Sequence, residues 1–264
     1  MKLAFLGVGN MAGAILGSLR NIVDDADIFL FDRYPEAMAR YADRGYVRAE
    51  SAPAAVAAAD CVIFAVKPQN MPELFAELQA ADVMHGKLVV SIAAGIPIKA
   101  FTDAFGPLPV IRTMPNTPML IGEGMIALCR NALVTDEDFA FVRTLFDAAG
   151  STIVLDECDM NKIISVTGSS PAYVFLFIKS IYESGLAQGL AEDGLLDAVC
   201  DAVIGSAKLL KASDKTPDEL IAMVTSKKGT TEQALLKLEE YRFAEGIHAA
   251  MLACTKRAEE LGRA

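Results

Sequence analysis

Three small residues at fixed spacing, Gly7, Gly9 and Ala12, stand directly after the apolar run Leu3–Leu6 and directly before an apolar helical pattern over 11–19. Strand, glycine turn and helix in that order make a cradle for phosphate. The first small residue permits the tight turn, the second lets backbone approach a pyrophosphate, and the third packs helix against strand. The helix N-terminus then offers unpaired N–H groups to the anion. The next apolar run, Ile28–Phe31, ends in Asp32, about twenty residues beyond the turn, where a carboxylate can reach a ribose hydroxyl. A glycine turn alone can simply close a strand–helix unit. With strand, helix and acid all in place, the turn Gly7, Val8, Gly9, Asn10, Met11 and Ala12 reads as dinucleotide-binding. Asp32 suits the free ribose hydroxyl of NAD(H), while Arg33 beside it could pair with the 2′-phosphate of NADP(H), so the two residues point both ways.

Further polar residues fall at the ends of later apolar runs. Val66 and Lys67 close the run 61–66, and Ala93 follows the run 88–92. Ligands of open α/β sheets bind outside the carboxyl ends of the strands. The small residues 93–95 would let a flat ring lie close to backbone, and Lys67 could contact a cofactor phosphate or simply face solvent. The stretch 112–118, Arg-Thr-Met-Pro-Asn-Thr-Pro, is a proline-pinned loop that reads either as an active-site wall or as a turn positioning the last strands. Far downstream, the polar segment 224–229 runs into a helix. Thr230 with Gln233 three residues on fits a capping box. Gly229, Thr230 and Thr231 could also offer N–H groups and hydroxyls to a small carboxylate.

The elements that must position these residues divide the chain. Over residues 1–155, short apolar runs at Leu3–Leu6, Ile28–Phe31, 61–66, 88–92, 110–112, 125–128 and 152–155 alternate with amphipathic helical patterns, the rhythm of a parallel α/β sheet. Pro35, Pro53, Pro72 and Pro97 each fall where a helix would begin. Residues 156–264 read as all-α, with helices at 158–165, 171–191, 195–210, Pro217–Val224, 231–239 and Phe243–Leu261. The helix beginning at Pro171 is apolar around most of its circumference, which demands partners on every side. A second copy completing the core as a two-fold dimer meets that demand, with a well-packed monomeric bundle as the alternative.

Composition narrows the chemistry. The 264 residues are 53% hydrophobic with a formal charge of −10, which suits one or two compact domains and argues against a nucleic-acid partner. The five cysteines stand singly and the histidines number two, so neither thiolate metal sites nor imidazole relays are expected, and no metal is assigned. The cysteines are expected to be reduced and mostly in the core, and both histidines to be structural or at the surface. The first residues run straight into a strand pattern, which points to the cytoplasm. The apolar stretch 163–178 is broken by Gly168, Ser169, Ser170 and Pro171, so no membrane span is expected.

Five segments taken together resemble pyrroline-5-carboxylate reductase: Gly7 to Ala12, AVKP at 65–68, RTMPNTP at 112–118, TGSSPAYVF at 167–175 and TSKKGTTEQAL at 225–235. The resemblance implies a Rossmann-type doubly wound domain, an all-α C-terminal dimerisation domain that helps build the active site, and dimers that assemble further, often into decamers. It implies cofactor contacts at Gly7 to Ala12, Asp32, Arg33, Val66, Lys67 and Ala93. Substrate contacts would fall on Glu157, Ser226, Gly229, Thr230 and Thr231, with Thr231 catalytic. The reaction would reduce the C=N bond of 1-pyrroline-5-carboxylate to L-proline, with NADP(H) expected and NAD(H) as alternative. One departure stands out: the family usually reads T-S-P-G-G-T-T where this chain has Lys227 and Lys228 in place of Pro-Gly. Two rivals share the glycine turn. A hydroxyacid dehydrogenase would need a lysine with an asparagine one helical turn later, but Lys162 is followed by Val166 and Lys179 by Glu183. A non-catalytic dinucleotide sensor would have no need of the threonine loop.

Overall fold

The computed structural model describes residues 1–19 and 22–262. Its contacts gather into two units, one formed by residues 1–169 with 253–264 and the other by residues 170–252.

The first unit is built on eight strands: β1 (Leu3–Leu6), β2 (Ile28–Phe31), β3 (Val47–Arg48), β4 (Cys61–Phe64), β5 (Leu88–Ser91), β6 (Val110–Met114), β7 (Gly124–Arg130) and β8 (Gly150–Val154). They lie in the order β3-β2-β1-β4-β5-β6-β7-β8. All neighbours are parallel except β6 and β7. Helices α1 (Asn10–Ser18), α2 (Pro35–Ala39), α3 (Ala52–Ala58), α4 (Met71–Ala81), α5 (Ile98–Phe105), α6 (Asp136–Asp147) and α7 (Met160–Ile163) belong to the same unit. The reversal at β7 departs from the all-parallel expectation. Only a short 3₁₀ turn, Thr117–Ile121, joins β6 to β7, too little chain for a crossover, so the strands must run antiparallel. The two-residue β3 is exposed and carries no apolar run, which is why periodicity does not reveal it.

Alternation along the strands divides the core between two faces. Leu3, Phe5, Ile28, Ile63 and Val90 pack with Ile15 of α1 and Phe146 of α6, whereas Ala4, Leu6, Val62 and Phe64 pack with Val56, Leu78, Phe101 and Met160. Both faces of the central strands are thus covered, as a parallel sheet requires. Edge strand β8 is only partly covered, leaving Ile153 and Val154 exposed. Residues 156–169, assigned to the helical half by the sequence pattern, pack with the sheet through Met160.

Local sequence sets the helix starts. Ser51 caps α3 and Thr135 caps α6, where Asp136, Glu137 and Asp138 complement the helix dipole. Pro35, Pro53 and Pro72 lie in first turns, but Pro97 is the residue before α5.

The second unit holds α8 (Ser170–Ala187), α9 (Leu195–Ala212), α10 (Pro217–Val224), α11 (Thr230–Glu240) and the first part of α12 (Phe243–Leu261). Phe175, Leu176, Leu190, Leu196, Met223 and Leu252 are all exposed. An apolar groove of about 840 Å³ runs along α8, lined by Phe177, Ile181, Val199, Phe243 and Ile247 among others. The helical pattern is interrupted at Ser169, between the π-helical turn Ile164–Gly168 and α8, within the break expected at 168–171; taken as one stretch, Glu157–Ala187 would by length and composition alone suffice to cross a membrane. Gly168 ends the π-helical turn, which holds an extra residue in the ladder, and the Ser169 N–H closes it on the Ile164 carbonyl at 2.7 Å.

Two other expectations change. Only Cys61 and Cys129 are buried, while Cys158 is exposed and Cys200 and Cys254 lie between. The expected capping box at Thr230–Gln233 does not form. Gly229 precedes α11 without a side-chain cap, and a capping box closes instead between Thr216 and Glu219 at α10. Histidines 85 and 248 lie at the surface.

Phe101 is fully buried and packs edge-on against Phe64 and Phe75, with ring centroids 5.1 Å away in each case. Phe101→Ala is expected to cost about 3–5 kcal/mol of unfolding free energy, read from denaturant midpoints with an unchanged m-value.

Candidate active site

At the carboxyl ends of β1, β2 and β4 lies a cleft of about 580 Å³. Gly7, Gly9, Asp32, Arg33, Val66 and Lys67 line it, six of the residues expected to contact cofactor. Gly7 has φ +94°, and a Cβ there would sit 2.9 Å from the Ala65 carbonyl carbon and oxygen. Only glycine allows β1 to turn this close to β4. A Cβ at Gly9 would meet nothing within 4 Å, so the open space expected for an approaching pyrophosphate is present. Gly9 precedes α1 without a side-chain cap and no acid occupies the first turn. The N–H groups of Asn10 and Met11 thereby begin a helix whose positive end suits phosphate. Ala12 is buried against the sheet, in the packing role anticipated for it.

Backbone and side chains clamp the turn from several sides. The Gly7 N–H donates to the Phe31 carbonyl at 2.8 Å. The Val8 N–H donates to Asp32 Oδ2 at 2.7 Å, and the Arg40 guanidinium donates to the Val8 carbonyl at 2.7 Å. The other Asp32 oxygen accepts the Tyr34 N–H at 3.0 Å. Asp32 therefore shapes the turn as well as facing the cleft. Arg40 was not legible as a site residue, because nothing in its local pattern separates it from an ordinary surface arginine. Arg33 is tied to Glu73 of α4, Nη2 to Oε2 at 2.7 Å. That hydrogen bond, reinforced by the charge of Glu73, raises the Arg33 pKa.

Ala93 is buried beyond the end of β5 and does not line the cleft. The space beside Gly95 is not open to a flat ring: a Cβ there would lie 2.6 Å from the Ala258 carbonyl oxygen of α12. Small residues here let α12 approach the sheet edge.

The proline-pinned segment after β6 anchors structure. Arg112 is buried, with Nη2 donating to Asn161 at 2.5 Å and Nη1 3.7 Å from Glu157. Burial lowers its pKa, and the neighbouring Cys129 and Glu157 oppose that shift. Burial pushes the Cys129 thiol up to about 12, with the charge of Glu157 acting in the same direction. Glu157 Oε1 also accepts the Ile98 N–H at 2.7 Å, at the first residue of α5. Asn116 accepts from the Met125 N–H at 2.9 Å and donates to the Thr167 carbonyl at 3.1 Å, binding the loop to β7 and the π-helical turn. Around that turn Ser165 pairs with Thr255 and Ser169 with Cys254.

In the second unit, Ser226, Gly229, Thr230 and Thr231 come together at the start of α11. The Gly229 N–H donates to the Ser226 carbonyl at 2.9 Å. Lys228 stands where the resembling family keeps glycine, and its φ of +60° is left-handed. Glu232 reaches back to accept the Lys228 N–H at 2.7 Å. With no side chain capping α11, its first N–H groups are available to an anion. Lys162 is paired with Asp159 at 2.6 Å and Lys179 with Glu183 at 3.6 Å, so neither stands beside an amide partner as the hydroxyacid-dehydrogenase reading would need.

A doubly wound sheet with an uncapped glycine turn, a clamping acid and an adjacent arginine defines a dinucleotide-binding oxidoreductase of Rossmann type. Residues 2–95 match the family described as NADP oxidoreductase coenzyme F420-dependent, and residues 157–261 the family described as Pyrroline-5-carboxylate reductase dimerisation. The chain is 37% identical to Pyrroline-5-carboxylate reductase of Escherichia coli (strain K12), over 99% of this chain and 98% of that one. Among solved structures it is similar to the Plasmodium falciparum pyrroline carboxylate reductase with NADP bound, at TM-score 0.91 and 27% identity over 99% of this chain and 98% of that one. It is likewise similar to the 1-pyrroline-5-carboxylate reductase of Streptococcus pyogenes, at TM-score 0.91 and 30% identity over 98% of both chains. The chain belongs to the pyrroline-5-carboxylate reductase family.

Because Asp32 holds the Val8 and Tyr34 N–H groups, Asp32→Ala is expected to weaken NADH and NADPH together, each by about tenfold or more, the loss of a charge-assisted hydrogen bond. Isothermal titration with both nucleotides checks this; weakening of NADH alone would make Asp32 a ribose reader only.

Proposed function

We propose that the chain reduces 1-pyrroline-5-carboxylate to L-proline, the last step of proline biosynthesis, with NADP(H) as the favoured cofactor and NAD(H) as the alternative. When bound, the cofactor supplies a hydride for the C=N carbon, and the ring nitrogen ends protonated. Gly7, Val8, Gly9, Asn10, Met11 and Ala12 form the turn and helix start that receive the pyrophosphate. Asp32 and Arg33 attend the adenosine ribose, and Val66 and Lys67 belong to the wall toward the nicotinamide, while Ala93, buried and outside the cleft lining, makes no direct cofactor contact in this reading. An iminium ion is already a good electrophile, so the protein's work is to orient the ring and hold its carboxylate.

The observation that carries the substrate assignment is the start of α11, where Gly229 stands at the N-cap without a side-chain cap and Thr230 and Thr231 open the helix. In this reading the N–H groups of Thr230 and Thr231 bind the carboxylate beside Gly229 and Ser226, the Gly229 N–H being engaged by the Ser226 carbonyl, and the Thr231 hydroxyl hydrogen-bonds the ring nitrogen, directly or through water. Glu157 joins the substrate contacts while also holding Arg112 and α5.

The exposed apolar faces of α8 and α9 support a second copy of this chain as their cover, rather than lipid. Ser180 and Ser184 line the groove, and the ion pair Lys179–Glu183 interrupts the apolar surface of α8. The homodimer, its assembly into decamers, and work in the cytoplasm away from membranes belong to the same reading.

Mixing the chain with pyrroline-5-carboxylate and NADPH should consume the nicotinamide absorbance and release L-proline. Turnover of a hydroxyacid instead would favour the dehydrogenase reading, and nucleotide binding without any turnover the sensor reading. Thr231→Ala should lower kcat by roughly a hundredfold or more with the cofactor Kd intact; unchanged turnover would remove Thr231 from the chemistry.

A further inference from the structure

The cofactor cleft is lined on one side by Asp32, Arg33 and Tyr34 after β2, and also by α4, from which Glu73 and Glu77 line it one helical turn apart. Arg33 follows directly on Asp32, and its fork of N–H donors suits a 2′-phosphate. One arm of that fork is already engaged, since Nη2 donates to Glu73 Oε2 at 2.7 Å. Both partners are solvent-accessible, with side chains 43% and 73% exposed, so a ligand can displace the pair. NADH has no 2′-phosphate and leaves it intact. The 2′-phosphate of NADPH would compete with Glu73 for the same guanidinium, in a cleft that Glu73 and Glu77 also line. Both effects act against NADPH.

We propose that Glu73 is a specificity-determining residue, a competitor of the cofactor's 2′-phosphate for Arg33 that restrains the preference for NADPH over NADH. The inference rests on the assignment of Asp32 and Arg33 to the ribose end of the cofactor. It concerns affinity and discrimination, not the chemical step.

The test is calorimetric titration of the full chain with NADPH and with NADH, in the unsubstituted protein, Glu73→Gln, Arg33→Ala and the double variant. Glutamine keeps the length of the side chain and removes its charge. An exposed ion pair of this kind is worth a modest amount, so Glu73→Gln should lower the NADPH-to-NADH Kd ratio about two- to fivefold. The change should shrink as salt is raised and vanish in the Arg33→Ala background. A ratio that stays put or rises with Glu73→Gln would overturn the inference, because the glutamate would then be pre-orienting Arg33 rather than competing for it. A gain that survives without Arg33 would also overturn it. These outcomes leave nucleotide binding itself intact; absence of binding of either nucleotide by the unsubstituted chain would overturn the cofactor site together with this inference.

Discussion

One residue after β1, Val8, is held on both sides, by its N–H and by its carbonyl. The Val8 N–H donates to Asp32 and the Val8 carbonyl accepts from Arg40, while the preceding Gly7 N–H donates to Phe31. These bonds tie the end of β1 to the end of β2 and to the chain following α2. Gly7, in a conformation that side chains rarely adopt, brings the same point against Ala65 at the end of β4. Three strand ends converge on a turn that exposes Gly9 and begins α1 without a cap. A helix N-terminus is attractive to phosphate only when its N–H groups stay unspent and fixed in direction. The clamp supplies that fixity and involves none of the N–H groups of α1 itself.

A second set of constraints acts farther along the sheet. Arg112 enters the interior from β6 with Asn161 and Glu157 as its partners, and Glu157 also receives the first N–H of α5. A buried guanidinium without such partners would be costly, so the arginine obliges the segment after β8 to return to the sheet. Asn116 and the π-helical turn continue that connection. The polar run after β6 is thereby explained largely by anchorage.

The central strands were legible because burial on both faces writes a continuous apolar run, and the glycine turn because its requirements are local. The edge strand Val47–Arg48 lacks that signature. The reversal at β7 depends on a connection too short for a crossover, a matter of geometry rather than composition. In the loop before α11 the position of the helix was readable but its cap was not: Thr230 and Gln233 fit a capping box, yet Glu232 reaches back to Lys228 instead. That bond accompanies a left-handed conformation at Lys228, and no single-residue propensity anticipates it. Arg40 and Glu73 escaped notice for a common reason, since each acts on a partner more than thirty residues away, Val8 and Arg33 respectively. The breadth of apolar surface on α8, by contrast, could be read from its sequence and remains exposed in the single chain.

Reception of the anionic cofactor by this clamped turn and the first turn of α1 is open to a direct test. Amide hydrogen exchange of the full chain, followed by mass spectrometry with and without saturating NADPH, addresses it most directly. Peptides containing Gly9, Asn10 and Met11 should gain the strongest protection, together with those carrying Asp32 and Arg33. Unchanged exchange at Gly9 to Met11 while NADPH is demonstrably bound would contradict the claim.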